Sequence, residues 1–210
     1  MAISIVLACQ QLLFRRAMRE LLSKEGISIA GEASDGREVV QLAAKIRPDV
    51  AVLDVFMPVL NGLDAGKEIL QVSTSTKVVL LSFHMGVSYL RNALAAGVSA
   101  FVSKAGQAAN LEYAVRRVAT GSIYLDPFVG STISDAEAQN DEDGKMVLTL
   151  RERQVVQLIA ECMTTKEIAA VLGISRKTAE SHRQRAMARL NLRRPAQLVR
   201  YAIRNGVIDA

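Results

Sequence analysis

Long hydrophobic runs are missing from this chain: no apolar stretch approaches the roughly 18 residues that a membrane span needs. Cysteine is scarce. Only Cys9 and Cys162 occur, far apart and without metal-ligand spacing, so neither a disulfide framework nor a zinc site is indicated and a reducing cytoplasm fits. Tryptophan is absent and aromatics make up 4% of the residues, which leaves the core to aliphatic side chains. Val6-Leu7-Ala8-Cys9 has the look of a lipoprotein cleavage box, but no basic residue precedes it and the apolar run is too short for a secretory signal. Also lacking are a glycine-rich phosphate loop and a catalytic triad signature, which weakens any reading as a nucleotide enzyme or hydrolase.

What is present is a globular balance, 50% hydrophobic and 22% charged over 210 residues, enough for two domains. Charge is unevenly spread. Residues 1–125 hold 13 basic and 10 acidic side chains, residues 126–147 hold 1 and 6, and residues 148–210 hold 12 and 5. A concentrated positive field suits a polyanion, although a basic domain alone is weak support for nucleic-acid binding.

Over residues 1–125, short β-branched runs (3–8, 28–31, 50–53, 77–81 and 100–102) alternate with segments whose apolar residues fall three or four apart. This alternation predicts an α/β domain, a doubly wound five-stranded parallel sheet of the flavodoxin type, with function gathered beyond the carboxyl ends of the strands. Residues 126–147 lose all periodicity and read as an acidic linker. Their acidity serves solubility or lets the segment lie against the basic end. Residues 148–210 are purely helical in pattern and predict an all-α domain of four helices, 151–162, 165–172, 176–190 and 195–205. Thr149, Thr164 or Thr165, and Ser175 supply caps at their starts, while Pro195 opens the last helix and Gly206 ends it.

Between the second and third of these helices, Leu172-Gly173-Ile174-Ser175 has helix-turn-helix grammar: a glycine for the tight turn and an isoleucine to plug the interhelical angle. In the third helix Ala179, Ala186 and Leu190 can face inward. The segments LTLRERQVVQLIAE, TTKEIAAVLGISRKTAESHRQRAMARL and PAQLVRYAIRNG together resemble the LuxR-type helix-turn-helix. The resemblance implies that residues 176–190 form the recognition helix for double-stranded DNA, with Glu180, Ser181 and Gln184 facing bases. Arg176, Lys177, Thr178, His182, Arg183 and Arg185 are then candidates for phosphate or backbone contact. A glutamine can pair with adenine and a glutamate can accept from cytosine, so sequence preference follows. His182 reads as a surface donor rather than a catalyst, since no triad partners accompany it. The last helix carries Leu198, Val199, Ala202 and Ile203 on one face, and the resemblance implies that part of this face pairs two copies.

The segment LDVFMPVLNGLDA, with Asp54 at the end of the third strand, resembles the phosphoacceptor region of response-regulator receiver domains. Ser82 at the fourth strand and Phe101 with Lys104 at the fifth extend the likeness over residues 1–125, and the two likenesses together are similar to the NarL/FixJ subfamily. What this implies is an Asp54 nucleophile, a Lys104 that contacts phosphoryl oxygens, a Ser82 that reorients to bond them, and a Phe101 that reports by moving inward. At the end of the first strand, however, where the family places two adjacent acidic residues that hold magnesium, stand Cys9 and Gln10. Magnesium wants hard oxygen ligands and is usually anchored by carboxylates. The expectation is therefore no metal or other cofactor, no enzymatic activity, little aspartyl phosphorylation, a doubtful role for a partner histidine kinase, and a resting state able to dimerise unphosphorylated. The alternatives are an ordinary regulator phosphorylated on Asp54 with a poor magnesium site, a redox input through Cys9, and a flavodoxin-like enzyme or small-molecule binder.

Overall fold

Six parallel strands form one sheet in the order β2-β1-β3-β4-β5-β6. The computed structural model describes residues 2–83, 87–127 and 148–208, without the side chains of residues 87 and 88. The strands are β1 (Ser4–Ala8), β2 (Ser28–Ala33), β3 (Val50–Asp54), β4 (Lys77–Ser82), β5 (Ala100–Ser103) and β6 (Tyr124–Leu125). Between them lie α1 (Leu12–Lys24), α2 (Gly36–Ile46), α3 (Gly62–Val72), α4 (Val87–Ala95) and α5 (Ala108–Ala119). The sheet exceeds the expected five strands by β6, whose two residues are too short to register as a hydrophobic run.

Every residue of β3 is buried, as a central strand covered on both faces requires. Alternation along β1 sends Val6 and Ala8 into a core with Val39, Leu53, Leu80 and Phe101. Ile5, Leu7 and Cys9 enter a second core on the opposite face, with Met18, Leu22, Leu81, Leu111 and Val115. This arrangement leaves Asp54 and Lys104 at the carboxyl edge of the sheet.

The chain divides into two compact units, the second starting at Lys145. The expected linker lies outside the described residues except for Asp126 and Pro127. Asp126 does not behave as linker: it is buried, its backbone N–H donates to the Phe101 carbonyl, and its Oδ2 accepts from Asn110 Nδ2 at 3.0 Å.

The second unit contains α6 (Leu150–Ala160), α7 (Thr165–Leu172), α8 (Arg176–Arg189) and α9 (Pro195–Arg204). Reciprocal capping boxes start two of them, Thr149 with Glu152 and Thr164 with Glu167. Ser175 Oγ accepts from the Thr178 N–H at 3.0 Å, and Gly173 closes α7 in the left-handed region at φ 63°. Val155, Leu158, Ile168, Leu172 and Ala179 pack together with half-buried Ile174 wedged beside them. Leu148, Val156, Ala186, Leu198 and Ala202 form the other half of this core, with Leu190 against it.

Candidate functional site: the Asp54 pocket and the exposed face of α8

Parallel pairing aligns Asp54 with Leu81 and Ser82 with Ser103, which brings the ends of three strands to one place. Gly62 presses so close to the backbone of Asp54 that a β-carbon there would sit 2.2 Å from its carbonyl oxygen, so this turn fixes the aspartate's position. The carboxylate is almost wholly buried. One oxygen, Oδ1, accepts from the Phe56 N–H at 3.3 Å, while Oδ2 accepts from the Lys104 ammonium and from the Cys9 thiol at 3.2 Å.

The Lys104 side chain is only 4% exposed. Its Nζ lies 4.8 Å from the ring centroid of Phe14 and 5.3 Å from that of Phe83. The two rings stand 6.5 Å apart at 53° to each other and roof the ion pair. Phe83 nevertheless shows its outer side to water, as do Leu12 and Leu13 at the start of α1.

Cys9 is fully buried, and its thiol is pushed up to about 11 by burial first and by the neighbouring Asp54 charge second, with Lys104 partly opposing. It is a protonated hydrogen-bond donor at neutral pH. Gln10 is exposed and has no side-chain hydrogen bond among the described residues. Arg15 Nη1 donates to the Cys9 carbonyl at 2.5 Å while its Nε pairs with Glu32 at 3.2 Å, which anchors the loop that presents Cys9. Ser82 and Phe101 are both buried, Phe101 completely.

The predicted receiver residues Cys9, Asp54 and Lys104 thus meet directly, Ser82 and Phe101 are buried near them in the sheet, and Gln10 is exposed. Phe14, Phe83 and Arg15 were missed. An aromatic directly after Ser82 was visible in the sequence, but nothing local marked it as a neighbour of Lys104. As a donor set for magnesium the pocket is poor: both Asp54 oxygens already have donors, the Cys9 sulfur is soft and protonated, and Gln10 offers only a neutral carbonyl on an exposed side chain. No cluster of three or more His, Cys, Asp or Glu side chains able to hold a metal occurs among the described residues.

In the second unit, Arg176, Lys177, Thr178, Gln184 and Arg185 are exposed, and Glu180, Ser181, His182 and Arg183 are half-buried. Ala179 and Ala186 are buried, so α8 shows a polar face opposite its packed one. Glu180 Oε1 accepts from Arg183 Nη2 at 2.5 Å and, at 3.4 Å, from Gln184 Nε2. His182 Nδ1 is buried without a hydrogen-bond partner among the described residues. The imidazole adds to the field on Glu152. Burial alone would raise that carboxyl, but bonds from Thr149 and the charges of Arg189 and His182 outweigh it and hold the pKa low. His182 therefore also belongs to the packing between α6 and α8, a role its exposed-looking sequence neighbours hid.

Comparison with known proteins agrees with both halves. Residues 5–116 match the response regulator receiver domain, and residues 146–202 match the bacterial regulatory proteins of the luxR family. The chain belongs to the response regulators in which these two domains are joined, and it is a DNA-binding transcriptional regulator of the two-component type. It is 33% identical to a putative transcriptional regulator of Pseudomonas aeruginosa, over 92% of this chain and 94% of that protein. It is 32% identical to the oxygen regulatory protein NreC of Staphylococcus carnosus, over 98% of this chain and 99% of that one. Among solved structures, RcsB of Salmonella enterica serovar Typhimurium bound to promoter rprA superposes with a TM-score of 0.67 at 22% identity, covering 96% of this chain and 98% of that one. No helix among the described residues is long and apolar enough to cross a membrane.

Proposed function

We propose that this regulator binds specific DNA sites as a homodimer in the cytoplasm, without enzymatic activity, and that its receiver is degenerate, holding its working form with neither magnesium nor a phosphoryl group on Asp54. One observation carries the reading. Asp54 Oδ2 is bonded to both Lys104 and the Cys9 thiol, and the Lys104 ammonium lies beneath the Phe14 and Phe83 rings.

The chemistry of phosphoryl transfer supports it. Attack requires a free carboxylate oxygen in line with the leaving group, and cations to neutralise the charge that develops. Here the cation is spent on the nucleophile itself. Phe101 is buried in the sheet core, the position that the resemblance gives to the signalling form. A partner histidine kinase would have little to act on. For DNA binding, the basic excess of residues 148–210 and the exposed Arg176, Lys177, Thr178 and Arg185 on α8 supply phosphate contacts, with Ser181 between Lys177 and Arg185 and His182 at the margin of the same face. RcsB, of the same fold, is described as dimers on DNA, which is the assembly proposed here.

The test is incubation of the purified chain with acetyl phosphate, with and without magnesium, read by intact mass alongside oligomeric state and duplex binding. The expected result is no adduct, with dimers and salt-sensitive DNA binding already present. A magnesium-dependent adduct that disappears in Asp54→Asn would restore the ordinary phosphorylation switch.

A further inference from the structure

Glu180 is an anomaly on a surface that must approach a polyanion. At 3.6 residues per turn, Lys177, Glu180, Ser181 and Gln184 fall within about 100° of the helix circumference, on the side opposite the buried Ala179 and Ala186. An unpaired carboxylate there would be repelled by phosphates. The structure removes that penalty by giving Oε1 two donors from the next turn, the Arg183 guanidinium and the Gln184 amide, while Oε2 has no protein donor among the described residues. Arg183 is itself held in, its Nε buried, so the pair is a constrained one rather than two freely rotating side chains. What remains available is one carboxylate oxygen, able only to accept.

We propose that Glu180 reads the exocyclic amino group of a cytosine in the operator, with Arg183 and Gln184 as the residues that position it; this rests on the reading that α8 enters the major groove. Of the four base edges in that groove, guanine and thymine present no amino donor. Adenine presents one beside the N7 lone pair, which repels an approaching carboxylate, whereas cytosine presents its N4 amino group with only a C–H beside it. Gln184, with its amide N–H turned to Glu180, is left to offer its carbonyl, which shifts it away from the two-bond adenine contact expected from its identity alone.

The experiment is selection from a pool of randomised duplexes by the full chain and by the Glu180→Ala, Glu180→Gln and Arg183→Ala variants, followed by binding of the selected duplex by anisotropy. The expected result is one position per half-site that is always cytosine. Replacing that base by 2-pyrimidinone, which lacks the amino group, should weaken the parent chain about tenfold or more and leave Glu180→Ala unaffected, since a good base contact discriminates by about 1–3 kcal/mol, roughly five- to 150-fold. Glu180→Gln should lose part of the preference and Arg183→Ala should broaden it. Unchanged preference in Glu180→Ala, with only a uniform gain in affinity, overturns the proposal and makes Glu180 a simple repulsive charge. Failure of the parent chain to retain any duplex at low salt would overturn the DNA-binding reading as well, and is distinguishable by that loss.

Discussion

The ammonium of Lys104 lies 4.8 Å from the centre of the Phe14 ring, so the cation that reaches Asp54 is covered by the first turn of α1. Phe83 completes the cover from the end of β4. Lysine acylation in the native state should therefore be slow at Lys104 and fast at exposed Lys24 and Lys177. Phe83→Ala should raise the Lys104 rate to a sizeable fraction of theirs, at a stability cost of about 0.5–2 kcal/mol for the lost cation–π contact. Peptide-level mass spectrometry after brief labelling reads both; equal rates at Lys104 before and after the substitution would mean that Phe83 does not close the pocket.

Ion pairing at Asp54 and Lys104 makes a second expectation quantitative. Each side chain is 4% exposed, so removing either one leaves the other buried and uncompensated. Asp54→Ala and Lys104→Ala should each cost about 3–5 kcal/mol, and the combined Asp54→Leu/Lys104→Met chain should recover most of it. In a pocket crowded with carboxylates, removing Asp54 would instead relieve repulsion and stabilise the receiver. Urea unfolding of the four chains decides between these signs.

Fold and site were legible to different depths, for physical reasons. Strand and helix periods over residues 1–125 are enforced by burial on both faces of the sheet, so the elements were readable. β6 was not, because two half-buried residues make no pattern. Asp54 and Lys104 were expected together by resemblance, but their roof was not. Phe14 and Phe83 are 69 positions apart, and nothing local couples an aromatic on α1 to one after β4. In the second unit the caps at Thr149, Thr164 and Ser175 are local chemistry and came directly from the sequence, whereas the inward turn of His182 depends on α6, a tertiary neighbour.

Alkaline pH offers a probe of Cys9. Its folded pKa of about 11 lies above the unfolded value of 9.0, so the folded state holds its proton more tightly. The associated stability is fully present below about pH 9 and is lost as pH rises through about 11. Denaturation midpoints should fall across that window in the parent chain and fall less in Cys9→Ala. At pH 8 the native thiol should resist iodoacetamide while exposed Cys162 reacts, since the thiolate is the nucleophile. Labelling of Cys9 at the Cys162 rate would contradict the buried, bonded thiol.

Placing an acidic pair at positions 9 and 10 is the strongest test of the proposed loss of phosphorylation. Cys9→Asp/Gln10→Asp supplies two hard oxygen donors and removes one of the two bonds to Asp54 Oδ2, so magnesium affinity measured by calorimetry should rise markedly. Metal alone does not free the nucleophile, however, because Lys104, covered by the two rings, is still bonded to Asp54. The double substitution should consequently bind magnesium yet label poorly with acetyl phosphate, and addition of Phe83→Ala should give a magnesium-dependent adduct on Asp54. Full labelling of the double variant, beside an unlabelled parent chain, would assign the proposed loss of phosphorylation to the missing carboxylates alone. No labelling of the triple variant, despite tight metal binding, would place the block elsewhere in the pocket, with Phe14 the next residue to replace.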